Sequence, residues 1–399
     1  MSSAWPRHAT EVVPWRPLGR AGRRADRELR EVEVAIPPRI AGRPVPVDAP
    51  LLASAEEATA AIARLDSRGA GVLAPLALVL LRTESVASSK IERIEASTVD
   101  YLRAEHGIRS NDAAVAMVAG TRAVDVLLRS LGPDGRIGLD AILEAHAVLV
   151  GDDPMEQPGQ LRTVQNWIGG SDFSPIDALY VPPSPERLPA AIADLLDFVD
   201  GRHAPALVQA AVAHAQFESI HPFVDGNGRI GRGLVNVVLR SRGITTEVVV
   251  PIASALVAHR DRYFDALTAY RRGDIEPIVS RFVGAAQVAA GEASESAVRL
   301  SAAIDEMHEQ VGARRGSAAA RLLEVLPAMP VVTADDVVRL ADVSASNAYG
   351  AIERLVDAGV LRPLTDRKRD QIWGTVAIIE EVERLGNRIA RRAVAEGTP

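Results

Sequence analysis

The chain contains no cysteine among its 399 residues, and its only two lysines are Lys90 and Lys368. The lack of thiols excludes disulfides, cysteine-ligated zinc sites and thiol nucleophiles, and it is compatible with a reducing compartment. Neither lysine lies in a Gly-x-x-x-x-Gly-Lys-(Ser/Thr) sequence. A P-loop nucleotide site is therefore excluded by inspection.

The chain also lacks an excess of positive charge and a long apolar run. Its net charge of -7 argues against bulk electrostatic binding to nucleic acid or to an anionic membrane. The longest apolar run, residues 69–81, contains Pro75 and is too short to span a bilayer. The first eight residues show no apolar core of a secretory signal. We expect a cytoplasmic protein with no membrane association.

The composition that is present, 47% hydrophobic and 24% charged, is typical of a soluble globular protein. The length exceeds one ordinary core, and helical periodicity dominates, so we expect an all-α fold class with more than one domain. The predicted divisions are an extended arm over residues 1–48, a helical region over 49–132, a central helical core over 133–290, a helical linker over 291–316 and a C-terminal domain over 317–399.

Two segments depart from the helical pattern. Residues 162–183 hold two short β-like runs around a polar tip, which predicts a β-hairpin. Within residues 317–399, three short helices are followed by two strands, which is typical of a winged helix. The third helix, residues 344–358, takes the recognition position but carries few cations, whereas Arg367, Lys368, Arg369 and the tail arginines Arg384, Arg388, Arg391 and Arg392 are basic. DNA contact and protein docking or dimerisation stay open as alternatives.

One segment concentrates the chemistry. Residues 221–232 read His-Pro-Phe-Val-Asp-Gly-Asn-Gly-Arg-Ile-Gly-Arg. An imidazole is a proton acceptor near neutral pH, a carboxylate offers the oxygen that Mg²⁺ prefers, glycines let backbone N–H groups face an anion, and arginines bind phosphates with two parallel hydrogen bonds. The corresponding residues are His221, Asp225, Gly226, Asn227, Gly228, Arg229 and Arg232. Together they predict a site that handles a triphosphate.

Other interpretations of this segment are weaker. Gly226, Gly228 and Gly231 fit a dinucleotide-binding glycine pattern, with Glu247 where a ribose-binding acid is expected. That pattern must follow a buried strand, whereas residues 206–220 are alanine-rich with helical spacing. His214 lies seven residues before His221 without metal-ligand spacing, so a zinc pair is not expected.

The segment resembles the signature of the Fic family, His-Pro-Phe-x-(Asp/Glu)-Gly-Asn-Gly-Arg-x-x-Arg, at every fixed position. The resemblance extends from about residue 34 to about residue 282. It implies a compact helical bundle with one β-hairpin flap, and transfer of AMP from ATP to a protein hydroxyl. In that family His221 would be the general base, Asp225 would hold Mg²⁺, and Gly226, Asn227, Gly228, Arg229 and Arg232 would bind the phosphates. The flap that aligns the target would be formed by Trp167, Ile168, Gly169, Leu179, Tyr180 and Val181.

A second motif lies upstream. Ser88 and Glu92 resemble the family's inhibitory motif, (Ser/Thr)-x-x-x-Glu-(Gly/Asn), with Arg93 in place of its Gly or Asn. In the family this glutamate pairs with the second arginine of the signature, here Arg232. Helical spacing predicts one shared face for Glu84, Ser88, Ile91, Glu92 and Glu95.

Two functions of different classes remain. The first is a protein adenylyltransferase that modifies a Ser, Thr or Tyr hydroxyl, possibly its own, with ATP and Mg²⁺, and that is inhibited by Glu92. The alternative is a DNA-binding transcriptional regulator that uses the site as a nucleotide sensor, or an enzyme that removes AMP. The partners expected are ATP, a target protein, a second copy in a homodimer and, in the alternative, DNA.

Overall fold

A computed structural model describes residues 4–17, 19, 21–68, 70–108, 111–132, 134–365 and 371–396. The predicted basic loop at Arg367, Lys368 and Arg369 lies outside the described residues. The architecture is mostly helical, as the sequence predicted, and it contains two small sheets. None of the described helices combines the length and the apolar character that crossing a bilayer requires.

The N-terminal arm forms strands β1 (Ala9–Pro14) and β2 (Glu31–Ile36), with the short helix α1 (Arg24–Glu28) between them. The strands pair antiparallel, with Val12 opposite Glu33. The sequence predicted only an extended arm over residues 1–48, without this pairing. The missed partner, β1, begins beside several Pro and Arg residues, which hide its alternation in the sequence.

Helices build the body of the protein. The first group comprises α2 (Ala49–Asp66), α3 (Ala70–Ile91), α4 (Thr98–Glu105), α5 (Asp112–Arg129), α6 (Leu139–Val150) and α7 (Leu188–Asp200). The second comprises α8 (Ala206–Ile220), α9 (Asn227–Ser241), α10 (Ala253–Ala258), α11 (Arg260–Arg271) and α12 (Glu276–Val311). Every residue of α8 is buried, so this helix runs through the middle of the main apolar core.

Helix α12 runs through the boundary that was predicted between the central core and the linker, at residues 290 and 291. We expected helices up to about residue 290 and a separate linker helix after it, but α12 continues for 36 residues. Its buried positions, which include Phe282, Ala293 and Leu300, keep a helical period across the expected break, so one apolar stripe favours one helix. Gly312 then ends α12 in the left-handed region.

The C-terminal part contains α13 (Ala318–Val325), β3 (Val331–Thr333), α14 (Ala334–Ala341), α15 (Ala345–Asp357), β4 (Leu361–Pro363), β5 (Ile372–Thr375) and α16 (Val376–Ala395). The three short helices lie where they were predicted, and β3 adds an unpredicted strand to an antiparallel sheet of order β3-β5-β4. Helix α16 leaves this part and packs on the main core through Ile378, Leu385 and Ile389.

Partly buried ion pairs attach α16 to α12. Glu381 accepts hydrogen bonds from Ser296 and from Arg388, the latter at 2.6 Å, and Arg388 also pairs with Glu292 at 3.0 Å. Arg392 pairs with Glu292 as well, at 3.3 Å. These contacts fix the end of the chain against the body of the protein.

Candidate active site

The loop after α8 carries the first candidate residue. His221 ends α8 with a positive φ of 50°, and its N–H donates to the carbonyl of Phe217 at 2.8 Å. Burial, together with the nearby charges of Arg162 and Arg271, lowers the pKa of His221 to about 3. The imidazole is therefore neutral at physiological pH and able to accept a proton.

Buried side chains fix the backbone of this loop. Asn227 accepts from the N–H of Phe223 at 2.9 Å and donates to its carbonyl at 2.8 Å. The ring of Phe223 stacks on His146 with centroids 3.8 Å apart and planes 4° apart. His146 Nδ1 accepts from the Gly159 N–H at 3.1 Å, so its Nε2 carries the proton that faces the Asp225 carbonyl at 3.2 Å. The asparagine side chain thus shapes the loop, and only its backbone N–H is left for an anion.

Helix α9 begins directly at the glycine turn. Gly226 has a φ of 79°, a conformation that favours glycine, and a Cβ there would lie 2.7 Å from Leu149. The first N–H groups of a helix have no partner within it, so those of Asn227, Gly228 and Arg229 form an anion-binding end. Among the described residues, a carboxylate already lies there. A Cβ on Gly228 would come 2.1 Å from Glu92 Oε1, so a larger residue there would have to displace this carboxylate.

Arg232 joins this end of α9 to the upstream motif. Its Nη2 donates to Glu92 at 2.7 Å, and its Nε donates to the Ser88 hydroxyl at 2.8 Å. Burial opposes ionisation of Glu92, but the charge and hydrogen bonds of Arg232 outweigh it and lower its pKa. The side chain of Arg232 is only 2% exposed, so its charge requires a close partner.

The other acids around Arg232 do not supply that charge. Burial raises the pKa of Glu84 to about 8 and that of Glu218 to about 7. Glu84 accepts from the Ala253 N–H at 2.8 Å, which suits either protonation state. Near neutral pH neither carboxyl carries a full negative charge, so Glu92 is the main counter-ion of Arg232.

The segment that positions Glu92 differs from the prediction. The sequence predicted one helix face shared by Glu84, Ser88 and Glu92. Helix α3 instead stops at Ile91, so Glu92 lies in the following turn. Arg93 adopts a φ of 62°, and the N–H of Ile94 returns to the Ser89 carbonyl at 3.0 Å. This is a helix end that favours glycine or asparagine at position 93.

Asp225 and Arg229 pair with each other. Arg229 Nη2 donates to Asp225 Oδ2 at 2.7 Å, while the Asp225 side chain is 62% exposed. Arg229 Nε is buried without a hydrogen-bond partner among the described residues. Within the same part of the chain, no three His, Asp or Glu side chains converge as a metal site. A single exposed carboxylate can still hold Mg²⁺ when substrate phosphates supply further ligands.

The segment that was expected to form a β-hairpin folds back on itself through a single antiparallel β-bridge. Ile168 donates to the Tyr180 carbonyl at 2.8 Å, and Leu179 donates to the Ile168 carbonyl at 2.8 Å. The prediction of two strands was wrong in extent, because Gly169 and Gly170 have positive φ and end the pairing next to the bridge. Leu179 is 84% exposed.

The arm supports this flap segment, residues 167–181. The N–H of Ala35 in β2 donates to the Val181 carbonyl at 2.9 Å. Trp15 meets Trp167 edge-on with ring centroids 5.5 Å apart. The buried Tyr180 hydroxyl donates to the Ser219 carbonyl of α8 at 2.7 Å, which ties the segment to the helix that ends at His221.

Residues 136–239 match the family model described as the Fic/DOC family. The chain therefore contains a segment that matches the Fic/DOC family. Relatives include the protein adenylyltransferase fic-1 of Caenorhabditis briggsae, 30% identical over 199 residues that cover 46% of this chain and 36% of that protein. The protein adenylyltransferase Fic of Drosophila virilis is 35% identical over 151 residues, which cover 37% of this chain and 28% of that protein. The chain thus spans about a third of the length of these relatives.

Solved Fic structures share the fold. A Fic family protein from Desulfovibrio desulfuricans superposes with a TM-score of 0.54 at 18% identity, covering 84% of this chain and 98% of that chain. Fic-1 (aa134 - 508) from Caenorhabditis elegans gives 0.50 at 23% identity, covering 62% and 71%. At these identities the likeness concerns the fold alone.

Arg162 is a residue of this Fic site to which the sequence assigned no role. Its buried guanidinium donates to three carbonyls: His221 at 2.9 Å, Val164 at 3.0 Å and Pro183 at 2.5 Å. It therefore joins both ends of the flap segment to the backbone of the candidate base. A lone arginine in a sequence does not reveal such a role, because most arginines are exposed.

We predict that Arg162→Met lowers the free energy of unfolding by about 3 kcal/mol or more, because three buried carbonyls lose their donor. Urea denaturation followed by circular dichroism measures the change. Arg129→Met is the matched control, since Arg129 is 78% exposed and its pair with Asp125 is worth little. Equal stability of both variants would contradict the positioning role.

Proposed function

We propose that this protein transfers AMP from ATP to a Ser, Thr or Tyr hydroxyl of a protein, its own hydroxyls included, and that Glu92 restrains the transfer. The position of the Glu92 carboxylate is the main support for this proposal. Arg232 holds it beside the first turn of α9. The same turn follows the candidate base, His221. The adenylyltransferase relatives support the reaction class, although they match only part of this chain.

In the proposed reaction, neutral His221 takes the proton of the incoming hydroxyl. The hydroxyl oxygen attacks the α-phosphorus of ATP, a new P–O bond forms, and pyrophosphate leaves. Little covalent chemistry falls to the protein, so catalysis rests on placing charge around the phosphates. The N–H groups of Asn227 and Gly228, with the guanidinium groups of Arg229 and Arg232, are the donors available for that purpose.

Asp225 is the residue that would hold Mg²⁺. Its exposed carboxylate fits an ion that is bound by one or two carboxylates plus substrate phosphates. When bound, the ion supplies positive charge that neutralises the phosphates. The pair with Arg229 then has to open, which frees the Arg229 guanidinium to contact phosphate.

Restraint by Glu92 follows from the geometry of Arg232. Its Nε and Nη2 already serve Ser88 and Glu92, so this guanidinium cannot also present two parallel hydrogen bonds to a phosphate. A terminal phosphate would compete with Glu92 for the same cation. Inhibition is therefore the choice between two anions for one buried arginine.

The C-terminal part is proposed to be a winged helix that selects targets or location. Its α15 exposes Ser346, Asn347 and Tyr349. The basic tail is less available to DNA than its sequence suggests, because Arg388 and Arg392 pair with Glu292, and Arg384 pairs with Glu380. This pairing favours protein docking over DNA contact. A cytoplasmic location and a homodimer stay predictions.

We predict that His221→Ala retains nucleotide binding but transfers no AMP. Calorimetry measures ATP binding, and incubation with labelled ATP and Mg²⁺ measures covalent transfer. The background is Glu92→Gly, so that the restraint does not mask the result. Label that persists without His221 would contradict the general-base role. No label even in Glu92→Gly would contradict the transferase and leave the nucleotide-sensor alternative, or removal of AMP, to be tested on a prepared target.

We also predict that Glu92→Gly raises self-labelling at least tenfold, because Arg232 then becomes available to the phosphates. The same change lowers the melting temperature without nucleotide, since it leaves a buried cation unpaired, and ATP restores more stability to the variant than to the wild type. Glu95→Gly is the control, because Glu95 is an exposed acid three residues further on. Unchanged labelling in the Glu92 variant would refute the restraint.

Arg93 offers a test in the opposite direction. Asparagine tolerates the left-handed conformation of position 93 better than arginine does, so Arg93→Asn should stabilise the turn by about 1 kcal/mol and lower self-labelling. Thermal melts and labelling assays measure both effects. Arg93→Ala removes the same side chain without relieving the strain, so it should leave stability unchanged. A gain with alanine equal to that with asparagine would show that strain is not the cause.

A further inference from the structure

A cavity of 250 Å³ lies between α3, α4, α10 and α16. Helix α3 contributes Thr83, Ala87 and Lys90 to its wall, residues spaced by helical steps. Glu84 and Ser88, which contact Ala253 and Arg232, lie on a different face of the same helix. The cavity is therefore separate from the nucleotide site but shares a helix with it.

Small residues keep this space open. Ala87, Gly386 and Ala390 line the junction of α3 and α16. A Cβ added to Gly386 would meet Thr83 Cγ2 at 3.6 Å and Ser254 Oγ at 4.0 Å, which are ordinary contacts. The glycine is thus not required for close packing of α16. Its effect is to leave room beside an apolar wall that includes Leu102, Ile379 and Val382.

Three polar groups that line the cavity lack an acceptor within the described part of the chain. Ser254 Oγ and Arg82 Nε are buried and have no hydrogen-bond partner among the described residues. Arg82 uses its Nη2 for Glu105 at 2.5 Å. Over the same described ranges the Lys90 ammonium forms no ion pair. Glu383 is an exposed acid at the rim. Buried donors of this kind favour a ligand that brings its own acceptors.

We propose that this cavity binds a small organic carboxylate with an apolar body. The carboxylate accepts hydrogen bonds from Lys90, from Arg82 Nε and from the Ser254 hydroxyl, while the body lies on the apolar wall. Charge-assisted bonds of this type are the strong ones. The volume lies just below the range of about 300–1,000 Å³ found for drug-sized ligands, which fits a small metabolite rather than a nucleotide.

Binding there would also regulate the nucleotide site, and this second step rests on the proposed function. The ligand joins α3 to α16 about half a turn to three turns before Glu92, and it fits the arrangement in which Glu92 contacts Arg232. A ligand that binds one state of an equilibrium favours that state in proportion to 1 + [L]/Kd. At ten times Kd it should favour the restrained state about elevenfold.

The binding test uses the full chain and three probes of one carbon skeleton: 4-methylpentanoate, 4-methylpentan-1-ol and 4-methylpentylamine. Calorimetry and thermal melts measure binding without any catalytic readout. The carboxylate alone should bind and raise the melting temperature. The proposal is overturned if the carboxylate does not bind at about 10 mM, ten times a millimolar Kd. It is also overturned if all three probes bind equally.

Two variants locate the bound probe. Gly386→Leu fills the cavity, and Lys90→Gln removes the cation at its rim, so each should weaken 4-methylpentanoate binding at least tenfold. Arg384→Gln is the matched control, because it removes one charge from an exposed position of α16 that does not line the cavity. If Gly386→Leu does not fold, Lys90→Gln decides the matter alone. Wild-type affinity in Lys90→Gln overturns the assigned site.

The regulatory step has a separate readout. At ten times Kd, 4-methylpentanoate should lower self-labelling about tenfold in the wild type and leave labelling by Glu92→Gly unchanged. Binding without any effect on wild-type labelling overturns the regulatory step while the site stands. Absence of labelling in Glu92→Gly overturns the proposed transferase function instead, and the calorimetric result still decides the site.

Discussion

The structure of the site depends on the charge of Arg232. This guanidinium is almost fully buried, and burial raises the pKa of two other acids that interact with it, Glu84 and Glu218, so neither carries a full negative charge near neutral pH. Glu92 is therefore the counter-ion by elimination, and the turn after α3 is placed where that carboxylate reaches the first residues of α9. A buried cation with one replaceable anion is a chemical switch, because its partner can be exchanged only for another anion.

The surroundings of the loop 221–226 serve a different physical need. A chain that turns sharply between two buried helices has backbone groups that water cannot reach, and each needs a partner. Asn227, His146 and Arg162 supply those partners from three separate elements. The loop is thus held by side chains rather than by regular backbone pairing, which fixes where its imidazole and its helix end lie relative to each other.

Many elements of the fold and most residues of the candidate site were predictable from the sequence. The alanine-rich α8, the glycine turn and the three short C-terminal helices have strong local patterns, and each lies where expected. The signature residues are brought together because they are consecutive around one turn. The pairing of Glu92 with Arg232 was expected only from the resemblance, since residues 140 positions apart leave no periodic signal.

The features that the sequence did not predict depend either on partners elsewhere in the chain or on residues in the left-handed region. Strand β1 and the support from Arg162 depend on partners far along the chain. The end of α3 was missed because arginine, a good helix former, occupies the left-handed position 93. The short extent of the flap pairing reflects Gly169 and Gly170, which a pattern of β-like residues on either side does not reveal.

The packing of α16 on the main core joins the C-terminal sheet to the helices around the candidate site. This helix is continuous with β5 of the C-terminal sheet, and its 20 residues pack against both α12 and α3. One continuous segment therefore connects the C-terminal sheet to α3, the helix that precedes Glu92. Segments that are about 300 residues apart in the sequence are therefore neighbours in this fold, because α16 packs against α3.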